Sequence, residues 1–386
     1  MPGYEIIDKK ELQQVTEIFT KSKTLFRMGF EKQRRGIFKV KEFEKSFARK
    51  FKSKYALAVT SGTAALRVAL STIDLKKGDE VITQSFTFVA TVEAIVEARA
   101  TPICTEVDET LNMDPKDFEK KINRKTKAVI VVHMLGVPTR INEIKKICQK
   151  HNILLIEDTA WGCGGKFNNK FLGTWGDIGA FSFDFAKTIT TGEGGMLLFK
   201  SKKKFELAKA WHDHGHENNP KVPRWEDTRK SSGFNFRMTE MQGAVGLAQL
   251  KKLDFIIKKQ NENYNKIWNK IKKITNIKKR VYPKVSKISA DALIFFLKSK
   301  KMAKNCRKEL LKNNISTKIL PEAYTWHFAG EWSHIKELKK KHPKLKRQFK
   351  RSKSLIERAV SIPIFIKMGS KFPLLVEKSI KKAIKI

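Results

Sequence analysis

An α/β fold with a doubly wound, mostly parallel sheet and a smaller second segment is what this 386-residue sequence predicts. Three observations carry the prediction. Short apolar runs alternate with helical periodicity from Tyr55 to Asp158, and strands that alternate with helices build a parallel sheet because each crossover returns the chain to the same edge. After Thr239 the alternation gives way to one long helical pattern, Glu240 to about Ile274, and then to a shorter strand-and-helix segment. The length also exceeds that of one typical core. Residues 1–250 are therefore expected to form an N-terminal arm and a large domain, and residues 251–386 a small C-terminal α+β domain.

The elements follow in order. The first forty-odd residues, polar and basic with isolated aromatics, read as an arm and a first helix. YALAVTS is the first strand and GTAALRVALSTI the helix after it, opened by Ser61 or Thr63 as N-cap. DEVITQS, TPICTEV, KAVIVVHML and NILLIED read as strands, and TVEAIVEARA and PTRINEIKKICQKH as the helices between them. In FSFDFAKTITTGEGGMLLF, Phe181 to Phe199, two buried strands are joined by a tight glycine loop, which places Lys187 at a strand end facing an interior cleft.

Composition excludes several classes. Cys104, Cys148, Cys163 and Cys306 lack CxxC spacing, so neither a disulfide framework nor a zinc site is indicated, and a reducing, cytoplasmic setting is expected. The amino terminus carries charges where a signal peptide needs an apolar stretch, and no apolar run approaches the roughly 18 to 20 residues of a membrane span. The formal charge is +41, and +29 of it falls after residue 250, with 38 Lys and Arg against 9 Asp and Glu. Such charge suits nucleic acid. No nucleic-acid motif accompanies it, however, and lysines spread among Ile, Asn and Phe read as solvated helix faces, so a nucleic-acid partner is not expected.

A lysine inside a cleft loses hydration, and its lowered pKa makes it an amine nucleophile. Ser61-Gly62-Thr63-Ala64-Ala65 opens a helix with small residues. That is either an ordinary cap or a phosphate site on a helix N-terminus. Glu157-Asp158-Thr159 ends a buried strand, as a cap or as a buried anion holding a cation. Taken together, a phosphate loop, an aromatic after the next strand, an Asp at a later strand end and Ser182-x(4)-Lys187 suit pyridoxal 5'-phosphate. The lysine would form a Schiff base with the aldehyde, the Asp would keep the pyridine nitrogen protonated, and Ser182, hydroxyls and amides would hold the phosphate.

SGTAALRVAL, GDEVITQSFTFVATVEAI, TPICTEVDETLNMDP, TKAVIVVHMLG, LLIEDTA, GDIGAFSFDFAKTITTGEGG and GFNFRMTEMQGAVGLAQLKKLD resemble the DegT-type (DegT/DnrJ/StrS) sugar aminotransferases, almost continuously from Phe51 to Phe255. FSF-x(3)-K-x(4)-GEGG and G-x-N-x-R-M-x-E are specific to that family. The resemblance implies an aspartate-aminotransferase-like (fold type I) large domain, a homodimer with shared active sites, and transfer of an amino group from glutamate to a keto or aldehyde sugar. By the same resemblance Lys187 and Asp158 are catalytic. The cofactor-binding set is Gly62, Thr63, Ala64, Phe88, Asp158, Trp161, Ser182, Lys187 and Asn235, with Phe88 stacking on the cofactor and Asn235 reaching the phosphate from the neighbouring subunit.

Two places depart from the family pattern. Trp161 stands three residues after the Asp where Gln or His is usual, and an indole donates only through its one N–H. His212-Asp213-His214-Gly215 stands where Arg-Asn-His-Gly is usual, and continues as His216-Glu217; a substrate-facing polar loop is expected there rather than a metal site. The expected substrate is a nucleotide-linked 4-keto-6-deoxyhexose on the way to a surface polysaccharide or lipopolysaccharide. An 8-amino-3,8-dideoxy-octulosonate-type transaminase is the runner-up, from the MPG start, LFRMGF and HDHGHE. A sugar dehydratase is disfavoured by lysine at 187, where that class carries histidine. The non-enzyme alternative is a basic regulatory protein on the same fold.

Overall fold

The structure, a computed structural model, describes residues 2–384 apart from 220, 230 and 323, so Met1 of the MPG start lies outside the described residues. The strands of the first 200 residues are β1 Tyr55–Val59, β2 Glu80–Gln84, β3 Thr101–Thr105, β4 Thr126–Val132, β5 Leu154–Asp158, β6 Lys166–Phe167, β7 Lys170–Phe171, β8 Ile178–Ser182 and β9 Gly195–Phe199. Those that follow are β10 Lys278–Lys279, β11 Ser286–Lys287, β12 Ala292–Phe296 and β13 Ala359–Pro363. The main sheet runs β1-β9-β8-β5-β4-β2-β3, with β9 antiparallel to both its neighbours and the other pairings parallel. The mixed, mostly parallel sheet expected from the alternation is present.

Strand side chains alternate between faces, and that period assigns the layers. Leu57, Val59, Ile156, Ala180, Leu197 and Phe199 face the helices Gly62–Ser71, Ala90–Glu97 and Lys202–Trp211. Ala56, Ala58, Phe181, Met196 and Leu198 face Phe43, Phe47 and Phe51 of the helix Lys39–Phe51 and the amino-terminal half of the helix Glu240–Ile271. Both faces are apolar because crossover helices cover both. Phe47 alone stacks on Phe51 at 4.3 Å and meets Phe181 edge-on at 5.0 Å; removing so large a buried ring costs about 3–5 kcal/mol.

The helix Glu240–Ile271 ends three residues before the expected stop, and the boundary expected at residue 250 falls inside it. Its Thr239–Gln242 capping box fixes its start. Beyond it, β10-β12-β13 form an antiparallel sheet. Leu293, Phe295, Val360 and Ile362 pack there against the helices Lys300–Lys312 and Phe372–Ile384. On the other face Ala292, Ile294 and Phe296 meet Phe86, Val132 and Trp332. A ribbon β11-β6-β7 joins the two parts of the chain, with Ser286 opposite Phe167. No helix among the described residues is long and apolar enough to cross a membrane.

Candidate active site

Strand ends set the site. β5 and β8 are parallel, with Asp158 in register with Ala180, so Asp158 and Ser182 emerge at neighbouring carboxyl ends, where ligands of open α/β sheets bind. Alternation gives the two acids of β5 opposite duties. Glu157 points away from the cleft and is enclosed by the N–H groups of Gly173, Trp175 and Gly176 and by His133 at 3.0 Å. Burial would raise its carboxyl, but the hydrogen bonds from His133 and these amides hold it below its usual range. Asp158 lines the cleft, where Oδ1 accepts from the Ala160 N–H at 3.1 Å and Oδ2 from the Thr91 hydroxyl at 3.3 Å. Burial raises its carboxyl above the ordinary value, against these donors and the charge of Lys187.

The helix Gly62–Ser71 aims its N-terminus at the same place. Ser61 is the cap: its Oγ accepts from the Ala64 N–H at 3.0 Å, which leaves the N–H groups of Gly62 and Thr63 for a ligand. Gly62 is required by close packing, since a Cβ there would lie 2.7 Å from the Cβ of Ser182. Gly195 is required for the same reason, its Cβ falling 2.3 Å from the carbonyl oxygen of Ser61. These two contacts bring the Ser182 hydroxyl to the helix terminus.

Lys187 is not at a strand end as expected. β8 stops at Ser182, and Lys187 lies in the turn that leads to the Gly192 bend, φ +81°. The turn still delivers its side chain to a cavity of about 710 Å³ shared with Ser61, Gly62, Thr63, Asp158 and Ser182. The amino-terminal helix Pro2–Glu5 braces it: the Gly3 N–H donates to the Lys187 carbonyl at 3.2 Å, and Tyr4 joins the cavity wall. The ammonium lies 3.4 Å from the centre of the Trp161 indole. Loss of hydration first, and then the charge of Lys318, brings Lys187 down to about 8; Asp291, Asp184 and Asp158 pull the other way.

Phe88 lines the cavity and stacks on Trp326 at 5.8 Å and 29°. The segment bearing Trp326 is bound to the strand-end loop by hydrogen bonds from the N–H groups of Thr87 and Val89 to the carbonyls of His327 and Trp326. Ala64 and Asn235 are not among the residues lining the cavity. The Ala64 N–H is taken by Ser61, and Asn235 is exposed on the surface, its Oδ1 accepting from the Arg237 N–H at 3.3 Å. The His212–Glu217 loop also lies outside that wall. His212 is buried, donates through Nδ1 to the Lys209 carbonyl at 2.5 Å, and is pushed down to about 3 by burial. Asp213 is clasped by Arg224 and Arg237, and His216 meets Asp227 at 3.3 Å.

Tyr4, Thr91, Glu193, Lys318 and His327 join the cavity without having been expected there. Lys318 is one of many lysines in a lysine-rich segment, and nothing in its local pattern singles it out.

A profile of the DegT/DnrJ/EryC1/StrS aminotransferase family matches residues 6–373. The GDP-perosamine synthase of Escherichia coli O157:H7 is 40% identical over 224 residues, which cover 58% of this chain and 60% of that protein. The match thus spans less than two thirds of that relative's length. An uncharacterised protein of Methanocaldococcus jannaschii is 32% identical over 358 residues, 90% of both chains. Among solved structures, the aminotransferase from Psychrobacter cryohalolentis superposes with a TM-score of 0.85 at 26% identity, covering 98% of this chain and 97% of that one. The fold is accordingly the fold type I architecture of the aminotransferases. With a profile match that runs nearly end to end, the chain belongs to the DegT/DnrJ/EryC1/StrS aminotransferase family.

Proposed function

We propose that the chain is a pyridoxal-phosphate-dependent aminotransferase that moves an amino group from glutamate to the keto carbon of a sugar, a nucleotide-linked 4-keto-6-deoxyhexose, in the synthesis of an amino sugar for a surface polysaccharide. The observation that carries the reading is the meeting of a desolvated lysine, a buried carboxylate and a free helix N-terminus in one cavity. Relatives named for GDP-perosamine synthesis and for spore coat polysaccharide biosynthesis support the sugar and its destination. The working unit is a cytoplasmic homodimer, with Asn235 serving the neighbouring subunit's site.

The residues present fit the cofactor. Gly62 and Thr63 offer N–H donors, and Ser182 is held beside them only because residue 62 has no Cβ, which suits a phosphate. Asp158 is a buried acid whose carboxyl burial raises despite the charge of Lys187, and a cationic ring nitrogen beside it would favour its charged form. When bound, the cofactor supplies an aldehyde that carries the amino group and a ring that accepts electrons from the breaking carbon–hydrogen bond. Lys187, partly neutral near pH 8, serves as nucleophile and then takes and returns the proton at its Nζ. Asp158 would hold the cofactor by its ring nitrogen and stabilise the positive charge there. Trp161 and Phe88 wall the cavity and exclude water, while the Gly62 and Thr63 N–H groups and the Ser182 hydroxyl hold the phosphate.

The test is a half-reaction. Purified chain with pyridoxal phosphate and glutamate, without a sugar, is expected to release 2-oxoglutarate in an amount equal to its sites. A panel of nucleotide-linked keto sugars then identifies the acceptor by mass. Absence of the 2-oxo acid corresponding to the donor, from cofactor-loaded protein with glutamate and with every other tested amino donor, would overturn the reading.

A further inference from the structure

Trp161 is gripped from the carboxyl-terminal part of the chain. Its carbonyl accepts from the Ser289 hydroxyl at 2.9 Å, and its indole carries two cations, Lys187 with Nζ 3.4 Å from the ring centre and Lys318 with Nζ 4.6 Å from it. Lys318 is buried and forms a 2.6 Å ion pair with Asp291, itself buried, whose Oδ2 has no hydrogen-bond partner. Two ammonium groups on one indole, in a cavity wall, constitute a like-charge pair in which only one member has a carboxylate at contact distance. A π face attracts both cations and so holds them close despite their repulsion.

We propose that Lys318, fixed by Asp291 and the Trp161 indole, is a positioning residue that sets the protonation of Lys187 and so delivers it to the site as a free amine. The inference rests on Lys187 as the nucleophile of the proposed function, but it concerns the ionisation of Lys187 and can be measured without turnover. The charged and titratable groups facing Lys187 are Asp184 on its own turn, Glu193 beyond the Gly192 bend, Asp158 at the end of β5, Tyr4 of the amino-terminal helix, and Lys318, Asp291 and His327 of the carboxyl-terminal part. Of these, Lys318 is the cation whose charge lowers Lys187, and Asp291 is the first of the three acids that raise it. A charge removed at 318 and a charge removed at 291 must therefore act with opposite sign.

Competitive acetylation with trace acetic anhydride, read by mass spectrometry on the peptide bearing Lys187 in the full chain freed of bound aldehyde, gives the pH midpoint of that amine directly. Lys318→Met is expected to raise the midpoint by roughly one pH unit, Lys318→Arg to leave it where the wild type has it, and Asp291→Asn to lower it. Circular dichroism on each variant confirms the fold; should Lys318→Met fail to fold, the downward shift of Asp291→Asn and the wild-type value of Lys318→Arg remain the test. Midpoints unchanged in Lys318→Met and Asp291→Asn, or shifted in the same direction in both, would overturn the proposal. Because no cofactor or substrate enters the measurement, such a result is distinct from a failure of the aminotransferase reading.

Discussion

Gly62 and Ser182 stand 120 positions apart, yet a single added methyl on Gly62 would lie 2.7 Å from the Ser182 Cβ. This contact holds a hydroxyl at the end of a helix whose first N–H groups are unspent. Gly62→Ala is expected to push the helix terminus from β8, destabilising the chain by about 1–3 kcal/mol and weakening its hold on pyridoxal phosphate more than inorganic ions of similar charge would reveal. Thermal unfolding with and without cofactor checks it: the cofactor-induced rise in Tm should shrink in the variant.

Lys187→Ala should leave the fold intact and lower transamination by roughly 10³-fold or more, since nucleophile and proton carrier are lost together. Lys187→Arg should not restore it, because a guanidinium does not deprotonate. Borohydride reduction of the cofactor-loaded wild type should attach the cofactor to the peptide containing Lys187. A label on any other lysine contradicts the assignment.

Asp158→Asn keeps the hydrogen bond from Ala160 but removes the charge. The variant is expected to bind cofactor and to transfer protons roughly 10²-fold more slowly or worse. Single-turnover kinetics with glutamate decide; a rate equal to wild type would mean that the carboxylate has another task.

Asn235 does not line its own chain's cavity, and the proposed role in the neighbouring subunit's site is tested by mixing. Lys187→Ala and Asn235→Ala dimers should each be nearly inactive. Refolded together, about half the dimers are mixed and each carries one intact site, so about a quarter of wild-type activity should return. No recovery in a preparation shown to contain mixed dimers would place both residues in one subunit's site.

Asp213 supports the surface loop. Burial would raise its carboxyl, but Arg224 and Arg237 bring it to about 2, below its ordinary value of 3.8. A depressed carboxyl stabilises the fold above its unfolded value and loses that effect as pH falls through the folded one, here between about 4 and 2. Asp213→Asn should cost roughly 2 kcal/mol at pH 7, given that Arg224 is partly exposed. It should also flatten the stability profile over that acid window, measured by urea unfolding at stepped pH.

How much of this was legible differs by element. The strands β1 to β5, the helix after Ser61 and the long helix from Glu240 were readable because side-chain periodicity is local: two residues per strand repeat and 3.6 per helical turn leave their mark in any apolar pattern. The two-residue strands β6, β7, β10 and β11 are too short to carry a period. Asp158, Ser182 and Lys187 stood out because each lies at, or a few residues past, the end of an apolar run, in one order along the chain.

What the sequence alone determined, then, was the alternation of elements, the parallel sense of most of the sheet, the family, and the residues at the strand ends. The tertiary structure alone decided which remote side chains complete the cavity: Tyr4 from the first helix, Thr91 against Asp158, and Lys318 with Asp291 on the indole of Trp161. It also moved Lys187 from a strand end to a turn. The physical reason is range. Propensity and period are written within a few residues, whereas the meeting of Trp161 with a lysine 157 positions later depends on how two layers of the fold close on each other, and no local pattern distinguishes that lysine from its neighbours.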